Sequence, residues 1–542
     1  MPEYLSPGVY IEELAGPKPI EGVGTSTGAF VGIAERGPIN DPQLITNMTQ
    51  FGDTFGSFLP TAFLAYAVQH FFTEGGTRCY IVRAFRRNAP TVTDPAPDVA
   101  SLVLTNAGGN AMTVSANSEG TWGRRISVQA LAHGFDPTNP ADIASRFRLD
   151  VFLDDAPTPI ESFDLLSMNE FDASGIFPNA NHVEARINGV SNFITVIDAT
   201  NDPANIAPPA PMATPRHLGS GTVGLGTNGQ ALAPINLIGT VGTATARATG
   251  LMAFDGVLEI NIVAIPDLVN PAFSVQDARD QTLAAITYCE NRKDCFFVAD
   301  TPSGLSPQAA LGYRRGAAPS PATGGAFNSK FGAIYYPWIF ASDPITGKRK
   351  LVPPSGAVAG SYAEADGRVG VHKAPAGTED GFLNSAVEVE RVITKGEQDI
   401  LNPEGVNVIR KFPGAGIVIW GARTISSDPE WKYVNVRRLF NFLEQSILKG
   451  TQGLVFEPND PSLWKRIVRD VSAFLKVQYL EGKIIGNKPE QAFFVKCDET
   501  TNTPETMDLG RVITLIGICP SRPAEFVIFR LKQTRFGGDV EE

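Results

Sequence analysis

Residues 257–299 read VLEINIVAIPDLVNPAFSVQDARDQTLAAITYCENRKDCFFVA, and this stretch decides the fold class. Val257 to Ile265 reads as a buried strand. Ser274 to Asn291 then predicts a helix, with Ser274 as its capping residue and Asp277 three positions on. Cys295 to Ala299 predicts another strand, Ser306 to Arg315 a helix, and Phe331 to Phe340 a third strand. Strands and helices in alternation predict an α/β layer with helices packed on a sheet.

The same grammar extends outward. Upstream, Ala29 to Ala34 is an apolar strand. Thr61 to Glu74 puts Leu64, Val68, Phe71 and Phe72 on one helical face and stops at Gly75-Gly76, before a strand at Cys79 to Ala84. Downstream, Asp428-Pro429 offers an N-cap and a first-turn proline for a helix running to Lys449, before Gly450. Asp460-Pro461 repeats the device, with Leu463, Ile467, Val471, Phe474 and Leu475 on one face and an end before Gly482. Apolar strands are expected at Gln491 to Lys496, Val512 to Ile518 and Glu525 to Leu531.

Between these flanks the composition changes. No lysine occurs between Lys18 and Lys293, and Asn88 to Gly250 carries 7 arginines against 15 acidic residues, most of the chain's net charge of −12. Short alternations at Arg146 to Leu153 and Asn192 to Asp198 read as half-buried strands, so this is an acidic, β-rich insert. A chain of 542 residues exceeds one hydrophobic core, and 53 Gly with 41 Pro favour turns and β structure over a helical bundle. The acidic balance argues against a nucleic-acid backbone as partner.

Catalytic patterns fail on context. Gly24-Thr25-Ser26-Thr27-Gly28 matches a nucleophile elbow, but a strand follows it where a helix is needed. Gly219-Ser220-Gly221-Thr222-Val223-Gly224 matches a dinucleotide fingerprint, yet no strand precedes it and glycines follow. His70, His133, His182, His217 and His372 stand alone, without metal-ligand spacing. Cys79, Cys289, Cys295, Cys497 and Cys519 form no CxxC pair and are expected as reduced thiols packed like small hydrophobes. No catalytic residue, cofactor or metal is expected. There is no signal-peptide pattern and no apolar run of about 18 residues, so synthesis in a cytoplasm without membrane insertion is expected.

The flanks also resemble, in order, the contractile tail sheath family. The resemblance rests on Pro7-Gly8-Val9-Tyr10-Ile11-Glu12-Glu13, Phe30-Val31-Gly32, Cys79-Tyr80-Ile81-Val82-Arg83, Tyr336-Pro337-Trp338 and the run from Pro353 to Gly360. It is densest from Leu401-Asn402 through Trp420-Gly421-Ala422-Arg423-Thr424, Phe456-Glu457-Pro458-Asn459 and Thr501-Asn502-Thr503-Pro504 to Pro523-Ala524-Glu525-Phe526. Asn88 to Gly250 lies outside it.

The resemblance implies a structural subunit that forms hexameric rings stacked helically around an inner tube protein, between a baseplate and a terminator or cap. Contraction would drive the tube through a target envelope, and the bacterial cytoplasm would be the place of assembly. The expected architecture is an α/β (α+β) polymerising core built from N- and C-terminal segments with a β-rich insert. Its parts are an arm (1–20), a core segment (21–87), the insert (88–250), the main core (251–522) and a terminal strand or arm (523–542).

Two sets of contact residues are expected. The chain ends are short and extended, and can pair with another chain's sheet edge through Val9, Tyr10, Ile11 and Glu12, and through Phe526, Ile528, Phe529 and Leu531. The polar side of the Pro461 to Glu481 helix carries Lys465, Arg466, Arg469 and Lys476 against Asp470 and Glu481. It reads either as a solvated face or as the contact with an acidic tube. Two other readings stand beside the sheath: an α/β enzyme or binding protein with a site at the sheet edge, and a sheath-related cap or adaptor.

Overall fold

A computed structural model describes residues 20–91, 94, 96–132, 146–171, 178–198, 207–221, 223–317, 325–526 and 528. The chain divides into two compact units. The larger comprises Ser26–Glu364 and Pro375–Pro429; the smaller takes the residues up to Thr25, Ala365–Ala374 and everything from Glu430.

An eight-stranded sheet organises the larger unit. Its order is Gly416–Ile419, Val406–Phe412, Gly332–Tyr336, Phe296–Asp300, Ile262–Ala264, Gly28–Gly32, Cys79–Arg83 and Gln43–Ile45. The inner six strands are parallel and each edge strand is antiparallel. Gly28–Gly32 and Phe296–Asp300 are buried at every position, as parallel strands covered on both faces must be. The helices of this unit include α1 (Met48–Phe55), α2 (Leu64–Thr73), α3 (Val275–Arg292), α4 (Pro307–Arg315) and α5 (Ser355–Arg368), whose last turn counts with the smaller unit. Local chemistry starts two of them as the sequence predicts: Ser274 accepts from the Asp277 N–H, and Ser306 from the Ala309 N–H with Pro307 at the first position.

Two expected strands are corrected. Only Ile262–Ala264 of the Val257 stretch pairs in the sheet, because the 3-10 turn Gly250–Gly256 is followed by a further turn at Leu258 and Glu259 before the strand begins. The Phe331 to Phe340 run is broken at Pro337, which has no N–H for a ladder. Gly332–Tyr336 stays in the parallel sheet, whereas Ile339–Ser342 pairs with Arg349–Val352 and Glu388–Val389 in a separate antiparallel sheet.

Residues 100–218 contribute two antiparallel sheets, one of three strands (Ser101–Asn106, Gly109–Ala116, Ile194–Asp198) and one of four (Ile126–Ala132, Arg146–Leu153, Glu161–Ser167, Arg216–His217). They share a core in which Phe147, Leu149 and Val151 alternate inward, as their period of two requires. Leu237 and Ile238 belong instead to the core of the eight-stranded sheet, with Leu251 and Phe254.

In the smaller unit, α6 (Val434–Thr451) and α7 (Pro461–Leu480) pack Leu439, Phe442 and Leu443 against Leu463, Ile467, Val471, Phe474 and Leu475. Asp460 caps α7 by accepting from the Ser462 and Leu463 N–H groups, as expected. α6 is a correction at both ends. Pro429–Trp431 is a 3-10 turn, and the extended backbone of Tyr433 delays the helix to Val434. Gly450 does not stop it; the helix runs through, and a Cβ there would sit 2.7 Å from the Ile20 side chain. The last strands are Phe493–Lys496 and Leu515–Ile518, shorter than expected; Pro489–Ala492 is helical. Glu525 and Phe526 are not in a strand.

Candidate assembly surfaces

A doubly wound sheet binds ligands where its strand order reverses, at the carboxyl ends of the strands. Here the reversal lies between Gly28–Gly32 and Ile262–Ala264. The protein fills that edge itself. Asp267, fully buried, accepts from the N–H groups of Ile33 (2.8 Å) and Phe63 (2.7 Å), which caps α2. Asp300, at the end of its strand, accepts from the Ser355 N–H at 2.8 Å and so caps α5. Burial pushes the Asp267 carboxyl up to about 6, against the backbone hydrogen bonds it accepts, and the Asp300 carboxyl up to about 7. A cavity of about 530 Å³ beside Ile33, Thr61, Phe63 and Asn270 is also lined by residues 228–232 and has no charged side chain in its lining.

A two-residue strand, Arg216–His217, precedes the Gly219 to Gly224 string, against expectation, but no helix opens from it among the described residues before Pro234. Gly28–Gly32 follows the elbow-like Gly24 to Gly28 string as a strand, with no strand in residues 20–27. His70 is packed inside α2, where burial lowers its pKa to about 4 and keeps it neutral. Among the described residues no group of His, Cys, Asp or Glu could hold a metal. Four cysteines are buried as expected; Cys519 is exposed, because it lies just past the Leu515–Ile518 strand.

The polar face of α7 is where its period of 3.6 places it. Lys465, Arg466, Arg469 and Lys476 are all exposed, opposite the buried stripe. Asp470 partly neutralises them, lying 2.9 Å from Arg469 and 4.0 Å from Arg466, and Glu457 stands 3.9 Å from Arg466. Lys465 and Lys476 have no ion-pair partner among the described residues. Val477 and Leu480 are exposed on the same helix, so the surface mixes cationic and apolar groups.

Next to α7 in the same unit, Phe493–Lys496 and Leu515–Ile518 make a two-stranded ribbon with Phe493 opposite Ile518 and Lys496 opposite Leu515. Among the described residues neither strand has a second strand partner, while Ile484 and Ile485 pair with Pro520 and Cys519 just past the Leu515–Ile518 strand. Phe494 and Leu515 are exposed on the ribbon. Of the expected arm residues, Phe526 and Ile528 are 71% and 79% exposed, just beyond Glu525, which Tyr433 Oη contacts at 3.1 Å. Val9, Tyr10, Ile11, Glu12, Phe529 and Leu531 lie outside the described residues.

Sequence reasoning missed one exposed group. Phe456 is fully exposed and holds φ at +71°, a left-handed conformation uncommon for a bulky residue. Its neighbours Glu457, Pro458 and Asn459 carry a turn signal, but nothing in the string indicates that the ring points outward.

Comparison with known proteins bears on these surfaces. Residues 239–425 match the phage tail sheath protein central domain, and residues 426–534 match the phage tail sheath C-terminal domain. The two stretches together exceed half of the chain, which therefore belongs to the phage tail sheath protein family. The tail sheath protein of Enterobacteria phage T4 is 28% identical over 217 residues, 40% of this chain and 32% of that protein. This chain thus aligns with about a third of that relative's length. The contracted helical sheath of the anti-feeding prophage has the same fold, with a TM-score of 0.56 at 23% identity, covering 97% of this chain and 99% of that one. So does a sheath tail protein from Listeria innocua, with a TM-score of 0.58 at 12% identity over 93% and 96% of the two chains.

Proposed function

We propose that this chain is the structural subunit of a contractile sheath. Copies form rings of six that stack around an inner tube between a baseplate and a cap, and the stack shortens to drive the tube through a target envelope. The observation that carries the reading is the two-stranded ribbon of the smaller unit, without a third strand among the described residues, in a chain matched to both sheath domains. A two-stranded ribbon alone is marginal in water. Strands from neighbouring copies, Val9 to Glu12 from one end and Phe526 to Leu531 from the other, would complete it. An added strand of about five residues brings several hydrogen bonds of roughly 0.5–1.5 kcal/mol each. One arm is therefore a modest link, and a lattice of arms is strong. Residues 88–250 would face outward, where an acidic surface keeps a crowded lattice soluble. Assembly would take place in the bacterial cytoplasm before the sheath becomes part of a tail or injection particle.

Electron microscopy of the purified protein tests this: tubes or stacked rings are expected. Deleting Met1 to Gly16 should leave a folded chain by circular dichroism that no longer polymerises. Normal tubes from the truncated chain would rule out the strand-exchange arm, and a discrete particle from the intact chain would rule out the sheath.

A further inference from the structure

The sulfurs of Cys289 and Cys295 are 3.4 Å apart, and both residues are fully buried. Cys289 is in the last turn of α3, and Cys295 directly precedes the strand Phe296–Asp300. The link between them is tightly held. Lys293 turns the chain in a left-handed conformation, φ +66°, with its N–H returned to the Cys289 carbonyl. The Arg292 guanidinium contacts Asp294 twice, Nε to Oδ1 at 2.8 Å and Nη2 to Oδ2 at 2.7 Å, and also donates to the carbonyls of Phe254 and Val257. The two thiols are therefore neighbours by construction, brought together by a turn that several independent contacts hold.

We propose that Cys289 and Cys295 are a disulfide-forming pair, which closes into an intramolecular bridge when the chain meets a small disulfide oxidant such as oxidised glutathione. A disulfide needs its sulfurs about 2.0 Å apart, so closure moves them together by a little over 1 Å, within the reach of side-chain rotation. One cysteine loses its proton and, as thiolate, attacks a sulfur of the oxidant, releasing one glutathione thiolate. The other cysteine, as thiolate, then attacks the mixed disulfide and releases the second. The protein gives up two electrons and two protons, and the oxidant becomes two thiols. The bridge ties the end of α3 to a central strand of the sheet.

The environment sets the rate. The contact with Cys289 and burial hold the Cys295 thiol well above its ordinary pKa, so the thiolate is scarce while the turn stays shut. Oxidation accordingly proceeds through local opening of residues 290–295, and it is slow. Exposed Cys519 reacts faster and takes up glutathione as a mixed disulfide. This inference does not depend on the proposed function.

The test is to incubate the full chain with oxidised glutathione, with and without urea below the unfolding transition, then alkylate in denaturant without reduction and map the peptides by mass. A peptide linking Cys289 to Cys295, lighter by two hydrogens and carrying no alkyl group, is expected. The bridged chain should resist urea, its unfolding equilibrium shifted about tenfold or more toward the folded state. Cys289→Ser and Cys295→Ser should each abolish the link and the added resistance, while Cys79→Ser should change neither. Alkylation at both positions under every condition that keeps the chain folded would overturn the proposal. So would a link that lowers the resistance to urea.

Discussion

Arg438 on α6 and Asp366 form an ion pair closed off from solvent: Nη2 lies 2.6 Å from Oδ2, with 3% and 2% of the two side chains exposed. Arg438 also donates to the Thr25 carbonyl, so the pair fastens the chain at Thr25 to the helix core of the smaller unit. Burial pushes the Asp366 carboxyl upward against the pull of the guanidinium, as expected where desolvation outweighs attraction.

Breaking this pair should be harsh and replacing it mild. Asp366→Ala strands a buried guanidinium and should cost about 3–5 kcal/mol. The double variant Arg438→Met with Asp366→Leu should recover most of that loss. Urea titration followed by circular dichroism measures both. A single variant as stable as the parent would mean that the charge finds water.

Gly356 and Gly360 let α5 meet α2 backbone to backbone. A Cβ at Gly356 would be 2.4 Å from the Ala67 carbonyl oxygen, and one at Gly360 would be 2.6 Å from that of Phe71. Neither neighbour is a movable side-chain tip, so Gly356→Ala and Gly360→Ala should each cost about 1–3 kcal/mol or more. Gly367→Ala on the same helix meets nothing within 4 Å and should be neutral or stabilising, by up to about 1 kcal/mol. Thermal unfolding of the three variants decides.

Asp300 makes stability depend on pH near neutrality. Its folded pKa of about 7 is above the unfolded value of roughly 3.9, so the folded state holds the proton more tightly. The stabilisation is full below about pH 4 and is lost as pH rises through 7; Asp267 acts in the same direction, ending near 6. His70, with its pKa lowered to about 4, opposes them, but only below about pH 6.5. From pH 8.5 to 6.5 the protein should therefore gain about 1 kcal/mol or slightly less from Asp300. Asp300→Asn, whose carbonyl oxygen can still accept from Ser355, should flatten that slope. An unchanged slope in the variant would assign the dependence to other groups.

If the basic side of α7 meets an inner tube and is not simply a solvated face, that contact should be salt-sensitive. Exposed pairs are worth about 0–1 kcal/mol each, so a tube held this way is released without a large apolar seal to break. Reversing Lys465, Arg466 and Arg469 to Glu should abolish assembly on the tube and leave self-polymerised sheath intact. In the parent, raising salt should weaken the tube contact, since charges act over only about 10 Å at 0.1 M. Normal extended particles from the triple variant would place the tube contact elsewhere, with α6 the next candidate.

What the sequence determined by itself was local. Ser274 before α3, Asp460 before α7, the inward alternation of Arg146 to Leu153 and the basic side of α7 each depend on residues a few positions apart, held by one turn or one pleat. Where a distant partner intervened, the local signal was overridden. Asp428-Pro429 promised a helix start, yet Tyr433, tied to Glu525 across 92 residues, holds the backbone extended until Val434. Asp267 reaches Phe63 over 204 residues, Asp300 reaches Ser355 over 55, and Arg438 reaches Asp366 over 72. No spacing in the chain announces those pairs, because packing the sheet and helices is what removes these carboxylates from water and brings their partners within reach. The order of elements could be read along the chain, whereas the filling of the sheet's carboxyl edge and the pairing of Phe493–Lys496 with Leu515–Ile518 were decided by the tertiary fold.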